Sequence, residues 1–134
     1  MSQELYPSPD ADLSRKRRAL APDTAASFAA FSKQALAEGE LPARTKQLIA
    51  VAVEHATQCP YCIRGHTRGA LRAGASEAEV MEAIWIAAEK GAGAAYAHST
   101  IALSEKGRIE EHETWLERAA EAGESDASAK PDRP

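Results

Sequence analysis

Aromatic residues make up only 5% of the 134 positions, cysteine occurs twice, and the formal charge is −4. With no excess of positive charge, nothing in the total attracts nucleic acid or an anionic membrane, and neither is expected as a partner. No apolar run approaches the ~20 residues of a membrane span. β-Branched runs are absent while alanine is abundant, so helices are expected throughout and sheets are not. Two cysteines are too few for a disulfide scaffold, and a chain of this length can bury a core without one. The start, MSQELYPSPDAD, has neither a basic n-region nor an apolar h-region, so no secretory signal is read there and a cytoplasmic location is expected. In a reducing compartment, a close cysteine pair is more often catalytic or metal-binding than structural. The basic run Arg15-Lys16-Arg17-Arg18 sits among acidic residues without interleaved aromatics, and reads as a solvated helix start rather than a phosphate site.

Local signals divide the chain into an extended arm over 1–10, one helical domain over 11–122 and a disordered tail over 123–134. Asp10 or Asp12 is placed to cap a short helix over 11–20. Pro22 suits the first turn of the next, where Phe28, Phe31, Ala35 and Leu36 recur at helical spacing and predict a buried face. Gly39 is expected to close it. A third helix starts at Pro42, and its Leu48–Val53 centre is apolar nearly all round, as in a core helix or an oligomer interface. Cys59-Pro60 interrupts that helix and opens a fourth, which Gly74 ends. Ser76 and Glu79 have capping-box spacing and begin a helix with Val80, Ile84, Trp85 and Ala88 on one side. Gly91 and Gly93 mark a break or a close helix contact before a last long helix. The fold class is all-α, with five to six helices.

The chemistry is concentrated in TQCPYCIRGH, which contains both cysteines. Pro60 at a helix start puts Cys59 near the N-cap and Cys62 in the first turn, where free amides and the helix dipole stabilise a thiolate. Residues three or four apart share a helix face, so Cys59, Cys62 and His66 form one stripe. His66 is placed to take the thiol proton. Cys62 is one turn from His66 and is read as the attacking thiol, although the dipole also favours Cys59. Glu54, before the bend, is a candidate to relay a proton or to orient His66. Gln47 faces roughly the same way, while Tyr61 and His98 are weaker candidates. An inert buried pair remains an alternative. Zinc wants four ligands; Cys59, Cys62 and His66 supply three, with Glu54 or His55 available to complete the set. That reading is less favoured, and no cofactor is called for. Haem attachment needs histidine directly after the second cysteine, where Ile63 stands.

The segment from LPARTKQLIA through CPYCIRGH to AYAHS resembles the AhpD-like, carboxymuconolactone decarboxylase family, in its alkylhydroperoxidase-like branch. The resemblance implies an AhpD-like helical bundle that assembles as homo-trimers or hexamers. It implies a cysteine pair cycling between dithiol and disulfide, with Cys59 and Cys62 as redox cysteines and His66 in the proton relay. Gln47 stands where the best-known pattern has a glutamate, and Tyr61 where it has a histidine. Glu54 fits the shorter E-x4-C-x2-C-x3-H form. The expected activity is thiol-dependent hydroperoxide reduction through Cys59, Cys62, His66 and Glu54, with an external dithiol or thioredoxin-like reductant. The rival readings are a decarboxylase-like lyase acting on a small organic acid, and a non-enzymatic redox-responsive oligomer.

Overall fold

In the structure, a computed structural model, Tyr6 and residues 10–123 are described. The rest of the expected arm and tail lies outside them. Five helices follow in order: α1 (Ala11–Leu20), α2 (Pro22–Leu36), α3 (Ala43–Thr57), α4 (Pro60–Arg72) and α5 (Glu77–Glu121). No strand occurs among the described residues, so the fold is all-α. No described helix is long and apolar enough to cross a membrane.

Capping chemistry explains most of the helix ends. Asp10 Oδ1 accepts from Leu13 N–H at 2.6 Å and starts α1. Pro22 and Pro60 occupy first-turn positions of α2 and α4, where a missing N–H costs nothing. Ser76 Oγ accepts from Glu79 N–H at 3.1 Å, and Glu79 Oε2 accepts from Ser76 N–H at 2.8 Å, closing the capping box at the start of α5. Gly74, at φ +90, makes the left-handed turn after α4 that a side chain would disfavour.

The α2 terminus corrects an expectation. The helix ends at Leu36 instead of continuing to Gly39. Lys46 of α3 donates from Nζ to the carbonyls of Ala35 at 3.1 Å and Ala37 at 2.7 Å. A cation thereby satisfies the open carbonyls at the negative end of α2 and ties it to α3.

Among the described residues, those up to Gly91 form one compact unit and those from Ala92 to Gly123 a second. The first unit holds the core cluster of Val51, Ala70, Ala75, Val80 and Ala83, against which Leu48, Ala52 and Ile84 pack. Alanine at Ala70 and Ala83 lets helix backbones approach closely, so a core of small residues closes without large aromatics. Two expectations fail here. Phe28 and Phe31 do not face this core and are 70% and 68% exposed, and Trp85 is 66% exposed. Periodicity identifies a helix face but not what covers it. Nor does α5 break at Gly91 and Gly93: it is helical throughout, and nothing lies within 4 Å of a Cβ built at Gly91. Each glycine costs a helix about 1 kcal/mol, which the alanine-rich flanks offset.

Candidate active site

The residue that turns α3 into α4 is Gln58, a non-glycine in the left-handed region at φ 57 and ψ 45. This conformation brings its own N–H and that of Cys59 onto the Glu54 carbonyl, the latter at 3.1 Å. The chain then leaves Cys59 as N-cap of α4, with Pro60 next. Cys59 Sγ does the work usually given to a serine or aspartate oxygen, accepting from Cys62 N–H at 3.4 Å. The pair is joined as a disulfide, with Cα atoms 5.3 Å apart, a separation ordinary for such bonds. A reduced Cys59 thiolate at this cap would meet the positive end of the helix dipole and an N–H already aimed at it.

The last turn of α3 lies beside the sulfurs. One carboxylate oxygen of Glu54 lies within 4.8 Å of both Sγ atoms. Thr57 Oγ1 donates to Glu54 Oε2 at 3.1 Å and so fixes the direction of the carboxylate. Glu54, Cys59 and Cys62 are each partly buried. The neighbouring His55 donates from Nδ1 back to the Val51 carbonyl at 2.7 Å and does not join this group.

His66 lies one turn beyond Cys62, as the spacing predicts, and is partly buried. Its orientation comes from Gln47 rather than Glu54: His66 Nδ1 and Gln47 Oε1 are 2.9 Å apart. An amide oxygen only accepts, so Nδ1 carries the proton and Nε2 keeps its lone pair for use as a base. Gln47 reaches this position through a notch in α4. A Cβ added to Gly69 would lie 2.6 Å from Gln47 Oε1 and 2.8 Å from its Cδ. The sequence gives no weight to Gly69 or Thr57. An isolated glycine inside a helical pattern was the available signal for the first, but Gly65 carries the same signal with nothing near it.

Glu54 and His66 also line an open cleft of about 390 Å³ walled by α2, α3 and the His66 side of α4. Its other walls are Ala35, Leu36, Leu41, Ile49, Ala50 and Val53, together with Lys46. The cleft is apolar, with one carboxylate and one imidazole, and its single ammonium is occupied by the α2 carbonyls. Tyr61 is 41% exposed and meets Tyr6 edge-on at 6.1 Å between ring centroids. His98 is exposed in the second unit and is not among the cleft residues.

This helical hairpin has relatives among known proteins. Residues 22–105 match the model of the carboxymuconolactone decarboxylase family. A Paracoccus denitrificans protein, uncharacterized protein 4 in cox locus, is 62% identical over 77 residues, covering 58% of this chain and 69% of its own. A crystal structure from Methanobacterium thermoautotrophicum shares 40% identity at a TM-score of 0.57, covering 60% of this chain and 90% of that one. An apo carboxymuconolactone decarboxylase family protein from Legionella pneumophila shares 29% identity at a TM-score of 0.57, covering 66% of this chain and 80% of its own. The sequence resemblance, the matched family model and the shared helical fold converge: this chain belongs to the carboxymuconolactone decarboxylase family, in which AhpD-like proteins are grouped.

Proposed function

We propose that the protein is a thiol-dependent hydroperoxide reductase whose working parts are Cys59, Cys62, His66 and Glu54. The observation that carries this reading is the Cys59–Cys62 pair at a helix start, with a carboxylate beside both sulfurs. An apolar cleft reaches that carboxylate and the imidazole. In the dithiol form, His66 Nε2, with Glu54 beside the sulfurs, removes the proton from Cys62. The thiolate attacks the terminal peroxide oxygen, the O–O bond breaks, and the alcohol leaves with a proton. Cys59 then attacks the resulting sulfenic acid, expelling water and forming the disulfide. An external dithiol or thioredoxin-like reductant restores the pair by exchange. Its cap position keeps Cys59 available as a thiolate for the second step.

A lyase acting on a carboxylated lactone fits the cleft less well. Its one lysine is engaged with helix carbonyls, and Glu54 would repel an anionic substrate.

We further propose that the protein works as a homo-oligomer, a trimer or hexamer, in the cytoplasm. The support for self-association is the exposure of Phe28, Phe31 and Trp85 in the first unit, together with that of the half-exposed Ile49 and Val53 of α3. Light scattering coupled to gel filtration checks this, and a monomer would remove it.

The deciding measurement is hydroperoxide-dependent oxidation of a dithiol by the wild type against Cys62→Ser. Turnover by the wild type and its loss in the variant are expected. Equal rates, or a folded protein that keeps both thiols free in peroxide, would sink the reading.

A further inference from the structure

The sequence offers His66 as third ligand beside the cysteines, with Glu54 or His55 to complete the set; the structure groups Glu54 with the two cysteines and leaves both histidines out. Among the described residues, the cluster able to hold a cation is Glu54, Cys59 and Cys62, with one donor atom from each lying within 4.8 Å of the others. Tetrahedral zinc with sulfur ligands at ~2.3 Å and carboxylate oxygen at ~2.0–2.2 Å needs donors roughly 3.5–4 Å apart, within reach of side-chain rotation. Cys62 sits on the first turn of α4, Cys59 at its N-cap and Glu54 on the last turn of α3, so the short Gln58–Cys59 link holds the three donors together.

Each donor also has support from the surrounding chain. Cys59 Sγ accepts from Cys62 N–H at 3.4 Å, an interaction that favours the anionic sulfur a metal requires. The Glu54 carboxylate is aimed by Thr57 Oγ1 at 3.1 Å. The helix dipole of α4 adds stabilisation for a thiolate at its start. Two sulfurs and one carboxylate suit a borderline-soft divalent cation and disfavour magnesium or calcium, which prefer all-oxygen shells.

We propose that the reduced Cys59–Cys62 pair and Glu54 form a zinc site, with a water in the fourth position, and that metal and disulfide are mutually exclusive states of this hairpin. Binding Zn²⁺ to the dithiol releases two protons and leaves two coordinated thiolates. A hydroperoxide removes the metal by taking two electrons from those thiolates. With two protons supplied, the O–O bond breaks to give alcohol and water, the S–S bond forms, and Zn²⁺ is released. Zinc thus competes with peroxide turnover for the reduced pair until oxidation releases it.

The inference requires only that the pair can be reduced, so it stands or falls separately from the peroxidase reading. Zinc chloride is titrated calorimetrically into metal-free full-length protein held reduced by a phosphine, and into the disulfide form. One ion per chain is expected in the reduced protein, with binding at least about 100-fold weaker in the oxidised one. Glu54→Gln is expected to weaken binding at least about tenfold, and Thr57→Ala by about tenfold through the freed carboxylate. Cobalt substituted for zinc should show thiolate-to-metal charge-transfer absorption that diminishes in Cys59→Ser. Equal binding by oxidised and reduced protein would overturn the proposal by placing the metal on other residues. So would a stoichiometry of one ion per two chains, or affinity unchanged in Glu54→Gln. The oxidised wild type needs no substitution, so the test survives a cysteine variant that fails to fold. Peroxide turnover measured in chelator judges the peroxidase reading independently.

Discussion

Gln47 Oε1 accepts the Nδ1 proton of His66 at 2.9 Å, joining α3 to α4 across 19 positions of sequence. The contact sets the imidazole tautomer and leaves Nε2 as the basic nitrogen. Gln47→Leu removes the acceptor while keeping much of the bulk. Alkylation of the reduced cysteines near pH 7 should slow several-fold, and nitrogen NMR should show His66 losing its fixed tautomer. An unchanged rate with a mixed tautomer would mean that His66 does not activate the thiol.

Gly69→Ala separates function from stability at the same contact. The new methyl would occupy the place of the Gln47 carboxamide, which sits at the free end of a flexible side chain and can swing away. Alanine inside a helix is favoured over glycine by about 0.8–1 kcal/mol. The variant should therefore be as stable as the wild type or more so, while its cysteines react as slowly as those of Gln47→Leu. A large loss in urea midpoint would show that the carboxamide cannot move.

His66→Ala removes the base itself. Peroxide turnover should fall by about 10²-fold or more. Reduction of the existing disulfide by an external dithiol should be affected far less. Equal losses in both half-reactions would point to misfolding of the hairpin instead of loss of a proton acceptor.

The Ser76–Glu79 capping box makes a pH prediction. The Glu79 carboxyl is held below the usual glutamate range chiefly by its bond from the Ser76 backbone N–H. Desolvation opposes this, and the Arg44 guanidinium and the Ser76 side chain add to it. A depressed folded value means that the contribution is present above the unfolded value, ~4.3, and is lost as pH falls through the lower folded one. Urea midpoints followed from about pH 7 to 3 should decline on the acid side, with a shallower decline in Glu79→Gln. Ser76→Ala should cost about 1 kcal/mol at neutral pH.

Among the described residues, Val51 is the largest fully buried side chain of the core. Val51→Ala should lower stability by about 1.5–3 kcal/mol, read from chemical denaturation. A negligible change would mean that the small-residue core collapses around the gap.

Much of this architecture was legible where the signal was local. Asp10, Pro22, Pro60 and the Ser76–Glu79 pair each mark a helix start with their own hydrogen-bonding chemistry, and the helices begin there. The cysteine stripe and the in-register His66 followed from helical geometry in the same way. What depends on a distant partner was not legible. Phe28 and Phe31 have the spacing of a buried face, but spacing carries no information about a covering surface. Lys46 ends α2 from a different helix. Gln47 read as a missing glutamate, whereas its contact with His66 depends on how α3 and α4 pack and on the notch at Gly69.

The hairpin of α3 and α4 also bears on how the protein reaches its native state. From Gln47 to Gly69, the residues of the candidate site lie in these two helices or in the Gln58–Cys59 link between them. Closing so short a link costs little chain entropy, and structures rich in contacts between sequence neighbours form quickly. Cys59 and Cys62 are therefore brought within bonding reach of each other by local folding alone. Their approach needs no contact with α5 or with any other distant part of the chain.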